Sequence, residues 1–367
     1  ACAASTVFRI ILNRIRKTPS FAPATPHATL SSNAMSWKIL ATPGTIAGIG
    51  SESADFMRKN SCTVAIAKPF RAQSAAELRP LLAGIQAVYA GTDEFSAELL
   101  ASPEAAELRI ISRWGVGYER IDVEAATAHG IVIAYTPGML DEAVADYTFA
   151  LLLGIARRIH AAHATMSAGE WAPEWGHDVH GKTLGIIGCG RIGTAVARRA
   201  AGFNLRVLAC DPTPNEAAKK LGVEFVPLNS LLSQSDFVSL HAAVTPKTKG
   251  LIGEAQLKQM KPDAYLINTA RGALVDEAAL ARVLNAGGIA GAAVDSFVEE
   301  PLLKEHPFRT AKNLLLAPHQ AAFSNETGRK VSAACSQAIV DLMHGKRPKM
   351  VLNPEVFDSP QLRAKLN

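Results

Sequence analysis

Gly188-Cys189-Gly190-Arg191-Ile192-Gly193 places three glycines at the spacing GxGxxG. Alone this is a weak signal, because such glycines arise readily in loops; its neighbours give it weight. Residues 183–187 read as a strand leading in and residues 194–201 as a helix leading out. In that frame Gly188 permits a tight turn, Gly190 lets backbone approach a pyrophosphate, and Gly193 lets the helix pack on the strand. The helix N-terminus adds free N–H groups and a positive dipole end. Asp211 stands 18 positions beyond Gly193, at the end of the next strand, with no arginine within three residues. A carboxylate there accepts hydrogen bonds from the adenosine ribose hydroxyls and repels the extra phosphate of NADP. The motif therefore points to NAD.

Three further polar residues fall where strands should end. Arg271 follows Asn268-Thr269-Ala270, Glu300 lies in the loop after Val294-Asp295-Ser296-Phe297, and His319 follows residues 314–318. Ligands of open α/β sheets bind outside the carboxyl ends of the strands, so a guanidinium, a carboxylate and an imidazole gathered there form a candidate for chemistry. The remaining histidines show no metal-ligand spacing with thiols or carboxylates, and no metal is expected. His241 has no clear chemical demand on it and reads as structural; the 151–153 leucine run and Trp171 and Trp175 read as core and packing.

The elements that must position these groups alternate between short apolar segments and helical patterns, the signature of parallel β-α units. Strand candidates at 38–42, 87–90, 109–113 and 131–134 precede a punctuating Thr136-Pro137-Gly138. A long helical stretch at 141–164 then leads to six more strand candidates, at 183–187, 206–210, 237–241, 264–268, 289–294 and 313–317. Six strands are what a doubly wound dinucleotide domain requires. A last helix at 325–344 most simply returns to pack on the first domain. The expected fold is α/β, with two Rossmann-like doubly wound parallel-sheet domains: a discontinuous substrate domain at 35–140 plus 322–367, and an NAD-binding domain at 141–321.

Composition is that of an ordinary globular protein, with 48% hydrophobic and 19% charged residues. Four of the five excess positive charges (Arg9, Arg14, Arg16, Lys17) lie in the acid-free residues 1–34, so the body is near neutral and offers nothing for nucleic acid. No apolar run approaches the ~20 residues of a membrane span. Five scattered cysteines without a CxxC pair read as reduced thiols, consistent with a cytoplasmic setting. Residues 1–34 are left out of the fold as an unstructured leader. Their composition also fits an organelle transit peptide, but Ser32-Asn33-Ala34 before Met35 favours an expression scar or a translated upstream stretch.

The chain resembles the D-isomer-specific 2-hydroxyacid dehydrogenases. The resemblance is carried by Gly115-Val116-Gly117, the 188–193 loop, His241-Ala242-Ala243-Val244-Thr245-Pro246, Asn268-Thr269-Ala270-Arg271-Gly272, Asp295-Ser296-Phe297-Val298-Glu299-Glu300-Pro301 and Pro318-His319. It spans roughly residues 36–354, and several motifs in order make it specific. It implies a hydride exchanged between NAD(H) and a small 2-hydroxy or 2-keto acid. In that reading His319 is the general acid–base and Glu300, directly before a proline unlike Glu299, orients it and favours its charged form. Arg271 holds the substrate carboxylate and polarises the carbonyl. Val116 and Gly117, in a loop that presents backbone N–H groups, join Arg113 in binding substrate. Thr269 and Asp295 lie near the nicotinamide ribose and amide, Arg191 and Ile192 lie against the pyrophosphate, and Thr245 completes the cofactor set.

Residues 112–118 favour a 3-phosphoglycerate dehydrogenase-like member. Against this, Gly91-Thr92-Asp93 stands where members using phosphorylated substrates usually carry an arginine, although Arg113 could replace it. Hydroxypyruvate or glyoxylate reduction is the alternative. A different class stays open in the family's NAD-sensing corepressors, which act by binding protein partners. The resemblance also implies a homodimer formed through the cofactor domain.

Overall fold

The computed structural model describes residues 36–367; the leader at 1–34 lies outside the described residues. Two parallel sheets organise the rest. β1 (Lys38–Ala41), β2 (Thr63–Ile66), β3 (Ala87–Ala90), β4 (Ile110–Arg113) and β5 (Val132–Ala134) form a five-stranded sheet in the order β2-β1-β3-β4-β5. β6 (Thr183–Ile187), β7 (Arg206–Cys210), β8 (Glu224–Phe225), β9 (Phe237–Leu240), β10 (Tyr265–Asn268), β11 (Gly291–Val294) and β12 (Leu314–Leu316) form the second, in the order β8-β7-β6-β9-β10-β11-β12. Counted within its own domain, this is the 3-2-1-4-5-6 dinucleotide-binding order with a seventh strand beyond the sixth. The first sheet follows the other common doubly wound order, 2-1-3-4-5.

Two strands were not expected, and both are edges. β2 is four residues long and mostly exposed, while β8 has only two residues, one of them exposed. Each central strand, by contrast, is buried on both faces and reads as a short apolar run. Apolar clusters cover both faces of each sheet.

The helical stretch expected at 141–164 is broken in two. Asp141–Ala156 is buried along most of its length, with Ala143, Ala145 and Gly154 in contact positions, and it packs on the helix Arg191–Ala200 and on β10 and β11. Arg158 then adopts a left-handed conformation (φ 52°) before a second helix, Ile159–Ser167. The Arg158 guanidinium ties this corner to Glu174 and to Asn313. The extended segment that follows leaves Trp171 83% and Trp175 97% exposed, which overturns their reading as packing residues.

The helix Asn325–Met343 returns to the first sheet, packing on the helix Ser51–Lys59 and on β3 and β4. Ser112 Oγ donates to the Cys335 carbonyl at 3.0 Å, and Trp114 Nε1 to Ser332 Oγ at 3.0 Å. Farther on, the buried Asn353 side chain accepts from Ile133 N and donates to the Ile131 carbonyl, sewing the C-terminal segment to β5. Among the described residues no helix is long and apolar enough to cross a membrane.

Candidate active site

The carboxyl ends of the two sheets face one cleft, a cavity of about 1110 Å³. The five-stranded side contributes Phe70, Arg71, Gly91, Thr92 and the loop 113–119. The other contributes Ile192, Thr245, Thr269, Arg271, Glu300 and His319. Three catalytic candidates from three separate loops thus meet in one place.

Close approach of the loops after β10 and β11 brings Arg271 and Glu300 together. A Cβ at Gly272 would lie 2.1 Å from the Phe297 carbonyl carbon, so only glycine lets these loops touch. Asn268, 1% exposed, braces the Arg271 turn: its side chain accepts from Ala270 N and donates to the Arg271 carbonyl. His319 Nδ1 sits 2.8 and 3.0 Å from the two Glu300 oxygens. With Nδ1–H donated to the carboxylate, Nε2 is the nitrogen left to exchange a proton. Burial opposes ionisation of Glu300, but the His319 hydrogen bond, the charge behind it and the Phe297 amide outweigh that. Together they hold its carboxyl below the ordinary value.

His319 is one of few non-glycine residues with a positive φ (52°). The turn that holds it is anchored by Asp295, fully buried, whose Oδ1 accepts from Gln320 N at 2.9 Å and Oδ2 from Ala321 N at 2.8 Å. Hydrogen bonds to a carboxylate contribute about 1.5–3 kcal/mol each, enough to fix an otherwise disfavoured backbone. Asp295 was expected beside the nicotinamide. In the structure both of its oxygens also accept from backbone N–H groups of the His319 loop and so hold that turn.

The substrate-side loop is shaped from beneath. Arg113 is buried, with Nε donating to the Gly117 carbonyl at 2.8 Å and Nη1 to the Trp114 carbonyl. Burial, and then the nearby Arg271 charge, lowers its pKa to about 10. Arg113 was expected to bind substrate, but these donors are spent on the loop. Gly115 (φ 125°) gives its N–H to Thr136 Oγ1, so the loop's free donors are the N–H groups of Val116, Gly117, Tyr118 and Glu119, the first two nearest its glycine turn. The Gly91–Thr92 wall carries no cation, and Asp93 turns inward to Thr42, Gln73 N and Gly91 N.

Along the dinucleotide loop the glycines divide their tasks. A Cβ at Gly188 would lie 2.4 Å from Ala242 N, and one at Gly193 2.3 Å from the Gly188 carbonyl oxygen. At Gly190, the N-cap of the helix Arg191–Ala200, a Cβ would meet nothing within 4 Å, which leaves the room a pyrophosphate needs at the helix head. Asp211 closes β7; its Oδ2 accepts from Cys189 N and its Oδ1 from Thr213 N. Arg191 is exposed beside the loop, while Ile192, Thr245 and Thr269 line the cavity, Thr269 Oγ1 lying 2.9 Å from Thr148 Oγ1. The donor set and the open cradle fit NAD. His241 is half-buried, its ring against Ser239 Oγ, and desolvation pulls its pKa down to about 3, so it stays neutral.

Sequence reasoning missed Glu119, whose Oε1 lies 3.2 Å from Arg271 Nε. Its signal was position alone, two residues past Gly117. The loop after β2, carrying Phe70 and Arg71, was missed together with that strand.

Comparison with known proteins agrees with this geometry. Residues 149–321 match the family described as D-isomer specific 2-hydroxyacid dehydrogenase, NAD binding domain. The glyoxylate reductase of Korarchaeum cryptofilum is 45% identical over 272 residues, 72% of this chain and 81% of that one. The glyoxylate reductase of Thermococcus litoralis is 43% identical over 278 residues, 73% and 83% of the two chains. Among solved structures, the apo D-lactate dehydrogenase of Escherichia coli superposes with a TM-score of 0.75 at 29% identity, over 87% of this chain and 100% of its own. The chain is an NAD-dependent enzyme and belongs to the D-isomer-specific 2-hydroxyacid dehydrogenase family.

Proposed function

We propose that the enzyme reduces glyoxylate, or its near relative hydroxypyruvate, to the corresponding 2-hydroxy acid. The observation that carries this is the cleft itself: one proton-exchanging dyad and the Arg271 fork beside a loop with free backbone N–H groups, with no cation on the Gly91–Thr92 wall. The 188–193 loop would hold NAD(H), which when bound would supply or accept the hydride. Arg271 and the amides of Val116 and Gly117 bind the carboxylate of the 2-keto acid. His319, oriented by Glu300, gives the proton from Nε2 to the carbonyl oxygen during reduction and takes it back during oxidation.

A phosphorylated substrate, the first expectation from residues 112–118, has less to hold it. Arg113 Nε and Nη1 serve the loop, and Arg71 is paired with Glu77. The relatives named glyoxylate reductase support the smaller substrate. The test is steady-state turnover with NADH and NADPH across glyoxylate, hydroxypyruvate, pyruvate and 3-phosphohydroxypyruvate. Preference for the phosphorylated acid overturns this reading, and no turnover with any of them favours a binding role of the corepressor kind.

The cofactor contacts follow from the same reading: Gly188, Gly190, Arg191, Ile192 and Gly193 at the pyrophosphate, Asp211 at the adenosine ribose, and Thr245 and Thr269 toward the nicotinamide. A homodimer through the cofactor domain fits the exposed Ile159, Met166, Trp171 and Trp175 that follow the helix Asp141–Ala156, an apolar surface of the kind partners cover. Light scattering at micromolar protein should give twice the 38.9 kDa chain mass. The free Cys62, Cys189, Cys210 and Cys335 suit a reducing, cytoplasmic setting.

A further inference from the structure

Arg271 is held on two of its edges. Its Nη1 donates to the Ala270 carbonyl at 2.7 Å, on its own loop. Its Nε faces Glu119 Oε1 at 3.2 Å, across the cleft on the loop after β4. The Nη2 end lies against Gly117 so closely that a Cβ there would sit 1.7 Å away. The guanidinium plane is therefore set by one neighbour from each domain. The N–H groups of Val116 and Gly117, on the loop that Nη2 approaches, have no acceptor of their own and stay available to a carboxylate beside the fork.

The pair is part-exposed, with side chains 39% and 27% accessible, so its attraction is screened and contributes little as energy. Its importance is geometric, because an arginine fork recognises a carboxylate only in the right plane. Glu300 also lies within the field of Arg271, and its oxygens are engaged by His319 and the Phe297 amide. Glu119 is thus the anion that balances the pull of Glu300 on the Arg271 fork.

We propose that Glu119 is a positioning residue for the reaction: from the substrate-side domain it holds the Nε edge of Arg271 and so aims the fork at the 2-keto acid carboxylate. This rests on the reading of Arg271 as the carboxylate-binding group. It also makes one side chain depend on both domains, so the substrate site is complete only when the two sheets face each other.

The test is a double-mutant cycle on the full chain with NADH and whichever 2-keto acid the wild type reduces best. Choosing the acid this way keeps the cycle informative even where glyoxylate is not the substrate. If no acid is turned over, oxamate binding to the NADH complex replaces KM. Glu119→Ala should raise KM about tenfold, with NADH affinity by fluorescence unchanged to within about twofold. Glu119→Gln, which keeps an acceptor oxygen at the same reach, should recover most of that loss. In an Arg271→Lys background, where no planar fork remains to be aimed, Glu119→Ala should change KM by less than about twofold. Additive losses in the double variant overturn the proposal. So does a KM that falls in Glu119→Ala, which would make Glu119 a competitor of the substrate, and so does an unchanged KM.

Discussion

The two sheets bring unlike things to the same cleft. On the seven-stranded side each group acts through its own chemistry and is fixed by buried polar anchors: Asn268 under Arg271, and Asp295 under the His319 turn. On the five-stranded side the contribution is shape: backbone N–H groups of a loop propped up by Arg113 and Thr136, and walls made by Phe70, Tyr118 and Trp114. Phe323, arriving from beyond His319, packs edge-on to Trp114 at 5.5 Å. Proton transfer demands one residue type at one distance, whereas a wall demands only volume and polarity. The half that moves protons is thus tightly specified, and the half that recognises substrate is free to vary.

If that division holds, damage on the two sides should look different. His319→Ala should lower turnover by about 10²–10⁴-fold while NADH titrations stay near wild type, because the lost contribution belongs to the transition state. Near-normal turnover would remove the proton-transfer assignment. Gly117→Ala strikes the other side. The new Cβ would displace the Arg271 fork, so catalytic efficiency toward the keto acid should drop roughly 10²-fold, in line with a misplacement of about 1 Å. Thermal stability should hardly change, since residue 117 lies in a part-exposed loop. A parallel loss of NADH binding would show that the sides are not separable.

The same asymmetry explains what was legible in the sequence. Gly188, Gly190, Gly193 and Asp211 announce themselves because a dinucleotide dictates both residue type and spacing. Arg271, Glu300 and His319 could be placed at strand ends because the central strands are continuous apolar runs. Glu119 gave no such signal: an acidic loop residue usually faces water, and only the tertiary meeting of two loops makes it a partner of Arg271. Edge strands β2 and β8 were missed because exposure leaves them little pattern. The break at Arg158 carries neither proline nor glycine and is held by long-range partners, Glu174 and Asn313. Asp295 was picked out as a cofactor contact, and its role as the anchor of a strained turn shows only in the folded chain.

A smaller effect is expected at the cofactor end. Asp211 receives two backbone N–H groups and keeps lone pairs for the ribose hydroxyls, and its charge opposes a 2′-phosphate. NADH should be preferred over NADPH in kcat/KM, and Asp211→Ala should narrow the preference by about tenfold, the loss of one charged hydrogen-bond partner. Equal use of the two cofactors by the wild type would break the assignment.

The smallest effect should appear in stability measured along the pH axis. Glu300 is held ionised in the fold and lies 2.8 Å from His319 Nδ1. Glu300→Gln keeps the shape and an acceptor oxygen but removes the charge, and stability reads that loss with a definite sign. The carboxyl is lowered in the folded state, so its contribution is present above the unfolded carboxylate value near about 4.3 and fades as pH falls through the lower folded value. The difference in Tm between wild type and Glu300→Gln should therefore hold from pH 7 down to about 5 and shrink in more acid solution. A Tm difference that grew on acidification would show that the carboxyl is not held ionised by His319.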